Sequence, residues 1–254
     1  MKYLRLKTAL ILALLALTSF TTNDCHITLY MIGDSTMSIK DPGAYPETGW
    51  GMPFAGFFDN TVTVDNRAKN GRSTKTFITE GLWKPVATNM KQGDYLIIQF
   101  GHNDEVKTKT SYATETEFRD NLTLFITSAK NKAANPILIT PVTRRKFDNA
   151  GKVEDTHVVY AQIVREVAAK NNVPLIDLDS LSMQLLQKLG PAQSALLFNQ
   201  LVPGEHPNYP DGKTDNTHFN ELGARLMAEL VLSDIKRQHI GLETHIVIGK
   251  QPNK

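Results

Sequence analysis

The sequence predicts an α/β protein, a three-layer α/β/α sandwich around a five-stranded parallel sheet. Short apolar runs alternate with longer segments whose apolar residues recur every three to four positions, as in βαβ units. Several of the short runs are almost continuously apolar, as strands covered by helices on both faces should be. No linker, charge block or internal repeat divides the chain. We therefore expect one domain over residues 25–240.

Five segments are candidate strands. They are ITLYMIG (27–33), VTVDNRA (62–68), DYLIIQFG (94–101), PILITPV (136–142) and VPLIDL (173–178). In open parallel sheets, ligands bind beyond the carboxyl ends of the strands. The residues that follow these five segments are therefore the first place to look for a functional site.

Apolar spacing predicts three helices, over 114–134, 158–168 and 219–235. The first opens with Thr114 followed by Glu117, which is a capping-box pattern. Their apolar stripes predict core packing rather than function.

Residues 201–219 lie between the last predicted strand and the last predicted helix. This segment is rich in Pro, Gly, Asn and Asp and is expected to be a loop. Its length is typical of functional loops. The segment 241–254 is polar and is expected to form a loosely packed tail.

The N-terminal residues have the order of a signal peptide. Lys2, Arg5 and Lys7 precede the apolar run TALILALLALTSF, so we expect a signal peptide over residues 1–22 and export to the periplasm or the exterior. A buried N-terminal helix is the alternative. The run is too short to span a bilayer comfortably, so no stable membrane insertion is expected after cleavage.

The net charge and the cysteine content limit the partners and the covalent links that the chain can have. The net charge of +2 and the lack of long basic runs disfavour nucleic acid as a partner. The single cysteine, Cys25, excludes an intrachain disulfide. Lipid anchoring at Cys25 is less favoured than a plain thiol, because the preceding Thr-Asn-Asp differs from the small apolar lead-in of a lipoprotein signal. Nothing in the sequence indicates an oligomeric state.

Polar residues collect where the predicted strands end. Because these ends meet at one edge of a parallel sheet, we expect the side chains to converge. The segments are Gly33-Asp34-Ser35, Asn70-Gly71-Arg72-Ser73, Gly101-His102-Asn103-Asp104 and, before the last helix, Asp215-Asn216-Thr217-His218.

These residue types fit acyl transfer. Ser35 is a weak nucleophile unless a base takes its proton, and His218 could be that base. Asp215, three residues earlier on the same turn, could orient the imidazole and stabilise its charged form. The Ser35 and Gly71 N–H groups and the Asn103 side-chain amide could form an oxyanion hole.

Other interpretations exist for each segment taken alone. Gly-Asp-Ser and Asn-Gly are common turns. Asp215 could merely cap the last helix, and a zinc site from Asp215, His218 and His206 is conceivable, although no established ligand spacing supports it. We expect no metal and no cofactor.

The four segments together resemble the blocks of the SGNH (GDSL-type) hydrolases, which have a flavodoxin-like fold. GDSTM, GWGMPF, NGRSTKTF, FGHNDE, ITPVTRR and DNTHFNELGA resemble the rhamnogalacturonan acetylesterase branch in particular. The resemblance implies Ser35 as nucleophile, Asp215 and His218 as its triad partners, and Gly71 and Asn103 as oxyanion donors. It also implies an acetylated plant polysaccharide as substrate.

Candidate substrate contacts rest on residue chemistry. Arg144 and Arg145, at the end of the fourth strand, could pair with a uronate carboxylate, or could form a solvated basic turn. Aromatic side chains could stack on sugar rings or simply pack in the core. The aromatic candidates are Tyr45, Trp50, Trp83 and Tyr209. We also predict His206 as a substrate contact.

The sequence therefore predicts a serine esterase that removes O-acetyl groups from rhamnogalacturonan or pectin. Two alternatives remain open. One is a lysophospholipase or thioesterase acting on short acyl esters through the same residues. The other is a carbohydrate-binding protein that has kept the fold but has no activity.

Overall fold

A computed structural model of the protein describes residues 26–247 and confirms the predicted fold class. Its centre is a five-stranded parallel sheet of β1 (Ile27–Gly33), β2 (Val62–Asn66), β3 (Tyr95–Gln99), β4 (Asn135–Ile139) and β5 (Leu175–Ile176). The strands lie in the order β2-β1-β3-β4-β5. The predicted signal peptide and Cys25 lie outside the described residues.

Helices cover both faces of this sheet. Strand residues alternate between two apolar clusters: Met31 packs into one and Ile32 into the other. The helices are α1 (Gly51–Phe54), α2 (Thr74–Thr79), α3 (Trp83–Asn89), α4 (Glu115–Asn131), α5 (Val158–Asn171), α6 (Leu178–Ser194) and α7 (Glu221–Arg237). The first cluster contains residues of α1, α6 and α7, and the second contains residues of α2 to α5.

Helix α4 begins as its sequence predicts. The Thr114 hydroxyl accepts a hydrogen bond from the Glu117 N–H at 3.2 Å, and the Glu117 carboxylate accepts one from the Thr114 N–H at 2.8 Å. The five apolar residues of its stripe are all buried. The capping box and the stripe together fix where α4 starts and which side faces the sheet.

Strand β5 is shorter than predicted. Pro174 precedes it and has no N–H to donate to the sheet. Asp177 follows it and caps α6, accepting from the Ser180 N–H. Only Leu175 and Ile176 are left to pair with β4.

The prediction of a loop over 201–219 is wrong at both ends. An antiparallel hairpin forms there from β6 (Phe198–Leu201) and β7 (Lys213–Phe219), outside the main sheet. Polar residues obscure β7 in the sequence because several of its side chains face solvent. Only the connection between the two strands is a loop.

The C-terminal segment also differs from its prediction. Leu242 and Ile246 are buried in the first apolar cluster, the one that contains Met31. The Val247 N–H donates to the Phe57 carbonyl at 2.8 Å. The described part of the predicted tail, 241–247, is therefore packed against the domain. Two apolar side chains in a mostly polar segment are enough to anchor it. Within residues 26–247 there is no helix with the length and apolarity needed to cross a membrane.

Chain order reverses between β1 and β3. The chain runs from β1 to β2 on one side and later from β3 to β4 and β5 on the other. Such a switch point leaves a crevice at the carboxyl ends of the two central strands. Ser35 follows β1 and Asn103 follows β3, so the fold brings both segments to this crevice.

Candidate active site

A tight turn after β1 carries Ser35. The Asp34 carbonyl accepts hydrogen bonds from the N–H groups of Met37 (3.3 Å) and Ser38 (3.2 Å). The Asp34 carboxylate accepts two more, from the Thr36 N–H (2.9 Å) and the Thr36 hydroxyl (2.8 Å). Asp34 therefore orders the turn from both its main chain and its side chain, and Ser35 is held at the sheet edge with 8% of its surface exposed.

Three side chains form a hydrogen-bonded relay at this edge. His218 Nε2 lies 2.9 Å from Ser35 Oγ, and His218 Nδ1 lies 2.8 Å from Asp215 Oδ2. The second Asp215 oxygen accepts from the N–H groups of Thr217 and His218, at 2.8 and 2.9 Å. The structure thus brings together the serine, histidine and aspartate that the sequence singles out.

The local structure of Asp215 and His218 differs from the prediction. They lie in β7 rather than on a turn within a loop, and the Asp215 carboxylate contacts the His218 ring and the N–H groups of Thr217 and His218 on its own strand. Burial acts to raise the pKa of Asp215, but hydrogen bonds from the His218 ring and N–H outweigh it and hold that pKa well below its ordinary value. The aspartate is therefore charged, as a group that stabilises an imidazolium must be.

The predicted oxyanion donors Gly71 and Asn103 lie on the loops that follow β2 and β3, and hydrogen bonds connect these loops. Gly71 has a φ of +75°, the left-handed conformation that favours glycine. Asn103 Nδ2 donates to the Arg72 carbonyl at 3.1 Å, which joins the β3 loop to the β2 loop. The Ser38 hydroxyl donates to Asn70 Oδ1 at 2.6 Å, which joins the β1 loop to the same β2 loop.

Sequence reasoning missed a buried ion pair beside the relay. Lys40 Nζ lies 2.7 Å from Glu47 Oε1 and donates to Asn70 Oδ1 at 2.9 Å, and only 2% of the Lys40 side chain is exposed. Burial lowers the pKa of Lys40 and the bond to Glu47 opposes that shift. No spacing signal could have found this pair, because it forms across an irregular segment.

The zinc alternative with His206 does not form. Of the residues described, the set of acidic, histidine and cysteine side chains close enough to share an ion is Glu47, Asp215 and His218, whose ligand atoms lie within 4.8 Å of one another. Glu47 is already paired with the Lys40 ammonium, and Asp215 with His218. These contacts describe a hydrogen-bonded site in which each carboxylate has a partner.

The prediction of Trp50 as a sugar contact is wrong. Trp50 is fully buried in the core, and its indole N–H donates to Gln99 Oε1 at 2.9 Å. Trp83, considered for the same role, is buried in the second apolar cluster. Both indole rings are packed in the interior rather than presented to solvent.

His206 and Tyr209 lie together on the loop between β6 and β7. The His206 ring is 5.4 Å from the ring of Tyr45, and the Tyr209 hydroxyl donates to the Ala44 carbonyl at 2.8 Å. Both side chains are partly exposed. They dock this loop onto the 42–46 segment, and their role as sugar contacts stays a prediction.

The two arginines after β4 have different partners. Arg144 Nη1 lies 2.8 Å from Glu105 Oε1, and its Nη2 donates to the His102 carbonyl at 3.3 Å. Arg145 Nη1 donates to Asn216 Oδ1 at 2.8 Å, and its own N–H donates to the Asn216 carbonyl at 2.8 Å. Arg145 thus holds Asn216, one of the two residues between Asp215 and His218.

A cluster of titratable side chains is buried at the same end of the sheet. We call Asp34, His102, Asp104 and His157 the buried cluster. The two imidazole rings meet edge to face, with centroids 4.4 Å apart. Asp104 Oδ1 accepts from the Thr74 N–H (2.8 Å) and hydroxyl (2.6 Å). One oxygen of each aspartate, both His102 nitrogens and His157 Nε2 have no hydrogen-bond partner within the described part of the chain.

Burial favours the neutral form of three members of this cluster. It raises the pKa of Asp34, and it raises the pKa of Asp104 to about 7, where the nearby Asp34 carboxyl adds to the shift. It holds the pKa of His102 well below its ordinary value. The sequence does not predict this cluster as a unit, although His102 and Asp104 flank Asn103.

Fold and relay together define a class of serine hydrolase, and comparison with known proteins agrees. The profile of the GDSL-like lipase/acylhydrolase family matches residues 31–226, which include every member of the relay. The chain therefore belongs to the GDSL-like lipase/acylhydrolase family.

Individual relatives are similar over most of the chain. The rhamnogalacturonan acetylesterase RhgT of Bacillus subtilis (strain 168) is 43% identical over 222 residues, which is 87% of this chain and 94% of RhgT. The crystal structure of YxiM from Bacillus subtilis superposes with a TM-score of 0.73 at 28% identity, over 85% of this chain and 57% of that one. The acetylxylan esterase Axe2 of Geobacillus stearothermophilus shares the fold, with a TM-score of 0.58 at 17% identity over 82% of this chain and 94% of Axe2.

Proposed function

We propose that the protein is a serine esterase that removes O-acetyl groups from a plant cell-wall polysaccharide, rhamnogalacturonan. One observation carries the proposal: Ser35 Oγ lies 2.9 Å from a His218 ring that is oriented by Asp215. The similarity to RhgT supports the choice of substrate, since that relative is named as a rhamnogalacturonan acetylesterase and is 43% identical.

In the first half of the reaction, Ser35 Oγ attacks the carbonyl carbon of the acetyl ester while His218 Nε2 takes its proton. The imidazolium that forms is stabilised by the charged Asp215 carboxylate. The oxyanion accepts hydrogen bonds from the Ser35 and Gly71 N–H groups and from the Asn103 amide. When the tetrahedral intermediate collapses, the sugar oxygen leaves with the proton from His218, and Ser35 carries the acetyl group.

In the second half, His218 Nε2 takes a proton from water as the water oxygen attacks the acetyl-serine. Collapse of this second intermediate releases acetic acid, which ionises in solution, and returns the proton to Ser35 Oγ. Every proton transfer passes through one imidazole nitrogen. The geometry required is the contact between His218 Nε2 and Ser35 Oγ that the fold already provides.

We also infer that the chain is exported through a signal peptide over residues 1–22. The order of basic and apolar residues in that segment supports this, and so does the extracellular position of the proposed polysaccharide. N-terminal sequencing of protein recovered from outside the cytoplasm tests it: a mature N-terminus near residue 22 is expected, and an intact Met1 contradicts it. A lipid on Cys25 would replace the free thiol and would be seen as added mass.

Acetate release from a panel of polysaccharides tests the substrate. The panel contains acetylated rhamnogalacturonan, acetylated homogalacturonan and acetylated xylan, with Ser35→Ala as the blank. Acetate should be released fastest from rhamnogalacturonan and lost in the blank. Preference for xylan contradicts the substrate, and preference for 4-nitrophenyl decanoate over 4-nitrophenyl acetate favours a lipase-like activity instead. An unreactive Ser35 towards an organophosphonate contradicts the serine mechanism itself.

A further inference from the structure

A polar groove of about 480 Å³ opens beside the relay. Its wall is formed by the chain after β4 and by the middle of β7. The charged side chains that line it are mostly basic, which suits an anionic ligand. Among the residues on its wall are Arg144, Arg145, Lys146, Asp155, Asn216 and Thr217.

Two of the three cations are already neutralised by protein carboxylates. Arg144 Nη1 lies 2.8 Å from Glu105 Oε1, and Lys146 Nζ lies 2.6 Å from Glu154 Oε2. Arg145 differs: none of the carboxylates between residues 26 and 247 lies within 4.0 Å of its guanidinium nitrogens. Its charge is the one that a ligand could balance.

Neutral acceptors hold the Arg145 side chain in place. Nε donates to Ser194 Oγ at 3.1 Å, Nη1 to Asn216 Oδ1 at 2.8 Å, and Nη2 to the Pro191 carbonyl. A guanidinium has five N–H donors, so these three bonds leave two for a ligand. Because the side chain is already ordered, binding a carboxylate would not require it to lose its rotamer freedom again.

The groove adjoins the site of the proposed reaction. Thr217 lines it, and the next residue is His218, whose Cα lies one peptide step of about 3.8 Å away. We propose that Arg145 is the centre of a subsite for a uronic acid carboxylate of the acetylated sugar chain. A ligand here would be an oligosaccharide that carries uronic acid residues, and this inference rests on the proposed function.

Arg145 also contacts Asn216, so the test must separate binding from positioning. Two matched substrates do this: acetylated rhamnogalacturonan oligosaccharides, and the same preparation with its carboxyl groups reduced to alcohols. kcat and KM for acetate release are measured on both, for the wild type, Arg145→Gln and Arg145→Lys.

For the wild type, we expect the acidic substrate to have the higher kcat/KM. In Arg145→Gln, we expect kcat/KM on the acidic substrate to fall about 10- to 100-fold, mostly through KM, because a charge-assisted hydrogen bond is lost. On the reduced substrate the same variant should keep most of its activity. Arg145→Lys, which keeps the charge without the planar fork, should recover part of the preference.

Several outcomes overturn the inference. An equal fall on both substrates in Arg145→Gln means that Arg145 only positions Asn216. A wild type that deacetylates both substrates equally well means that no carboxylate subsite exists. If the wild type releases acetate from neither substrate but hydrolyses 4-nitrophenyl acetate, the proposed polysaccharide itself is wrong, and the subsite falls with it.

Arg119→Gln is a matched control for the change in net charge. Arg119 lies on α4 and pairs with Glu166 on α5 at 2.7 Å, with both side chains partly exposed. This variant should behave as the wild type on both substrates. A loss of preference in Arg119→Gln would show that net charge, and not the groove, selects the acidic substrate.

Discussion

Two groups of ionisable side chains lie at the same end of the sheet, and the pKa values of their aspartates are shifted in opposite directions. In the relay, Asp215 accepts hydrogen bonds at both oxygens, and its pKa is held low. In the buried cluster, Asp104 has one oxygen with no partner inside the described range, and burial raises its pKa to about 7. The number of donors and the access to water, and not the residue type, decide which carboxyl is charged.

The comparison separates two kinds of contribution to the site. In the relay, the Asp215 carboxylate is charged and accepts hydrogen bonds at both oxygens, and His218 and Ser35 lie at the crevice, where proton transfer to a substrate is possible. The buried cluster is sealed from water and incompletely bonded, so its groups cannot exchange protons readily with a substrate. We expect variants of the relay to change turnover, and variants of the buried cluster to change stability.

The largest expected effect is on turnover, in Asp215→Asn. The amide cannot stabilise the His218 imidazolium and favours the wrong tautomer, so kcat should fall by roughly 10⁴. Acetate release under saturating substrate measures it. Asp104→Asn is the control from the buried cluster and should lose far less activity. Comparable losses in the two variants would break the distinction between the two groups.

The second-largest effect is expected in Asp104→Asn, and it concerns how the free energy of unfolding depends on pH. The unfolded carboxyl has a pKa near 3.9 and the folded one a pKa of about 7, so the folded state keeps a proton that the unfolded state releases between these values. This stabilisation is fully present below about pH 4 and is lost as the pH rises to about 7. The variant lacks it.

Denaturant unfolding at a series of pH values measures this effect. The wild-type free energy of unfolding, minus that of Asp104→Asn, should decline by on the order of 4 kcal/mol from about pH 4 to about pH 8. Asp215→Asn is the opposite case: because its folded pKa is depressed, the wild type should lose its advantage only as the pH falls below about 4. Parallel curves for the wild type and Asp104→Asn would contradict a raised pKa.

Asn103→Ala should reduce kcat by roughly 10²–10³, or about 3 kcal/mol, if its amide is an oxyanion donor. Asn103 lies between His102 and Asp104, which belong to the buried cluster. The variant therefore tests whether adjacent residues of one loop can act separately, Asn103 in the reaction and its two neighbours in the buried cluster. The side chain bonds to the Arg72 carbonyl at 3.1 Å, so folding is checked by thermal unfolding. Near-normal turnover in a folded variant would remove Asn103 from the proposed mechanism.

The smallest effect is expected for Thr74→Val. The Thr74 hydroxyl donates to Asp104 Oδ1 at 2.6 Å, and its loss should lower the free energy of unfolding by about 1–2 kcal/mol. Turnover should stay close to that of the wild type, because the backbone N–H of Thr74 still holds the carboxyl. A large fall in kcat with unchanged stability would assign the buried cluster a part in the chemistry.

The sequence predicts the sheet and the relay well, for a physical reason. Continuous apolar runs identify buried strands, and parallel strands must end at one edge, so Ser35 and Asn103 are brought together by topology alone. The chemistry of His218 predicts its place in the site, even though the sequence predicts a loop where the structure has strand β7. The chemistry of a side chain can thus be predicted where its local backbone cannot, because the polar residues of β7 do not form a recognisable strand pattern.

Other features depend on contacts that no local pattern encodes. The pairing of Lys40 with Glu47 needs an irregular segment to fold back on itself. Trp50 looks like a surface aromatic in sequence and is buried in the structure, because burial depends on what packs over a residue. The difference between Arg144 and Arg145 is set by distant partners, Glu105 and Asn216, so neighbouring and identical side chains acquire different surroundings.

The contact between Ser35 and His218 joins residues separated by 183 positions in the chain. During synthesis, the serine leaves the ribosome early and its base leaves among the last residues of the domain. A nascent chain with β1 to β4 complete would therefore have a nucleophile that nothing activates. The order of the chain makes hydrolytic activity a property of the finished molecule only, and every truncation before residue 218 should be inert.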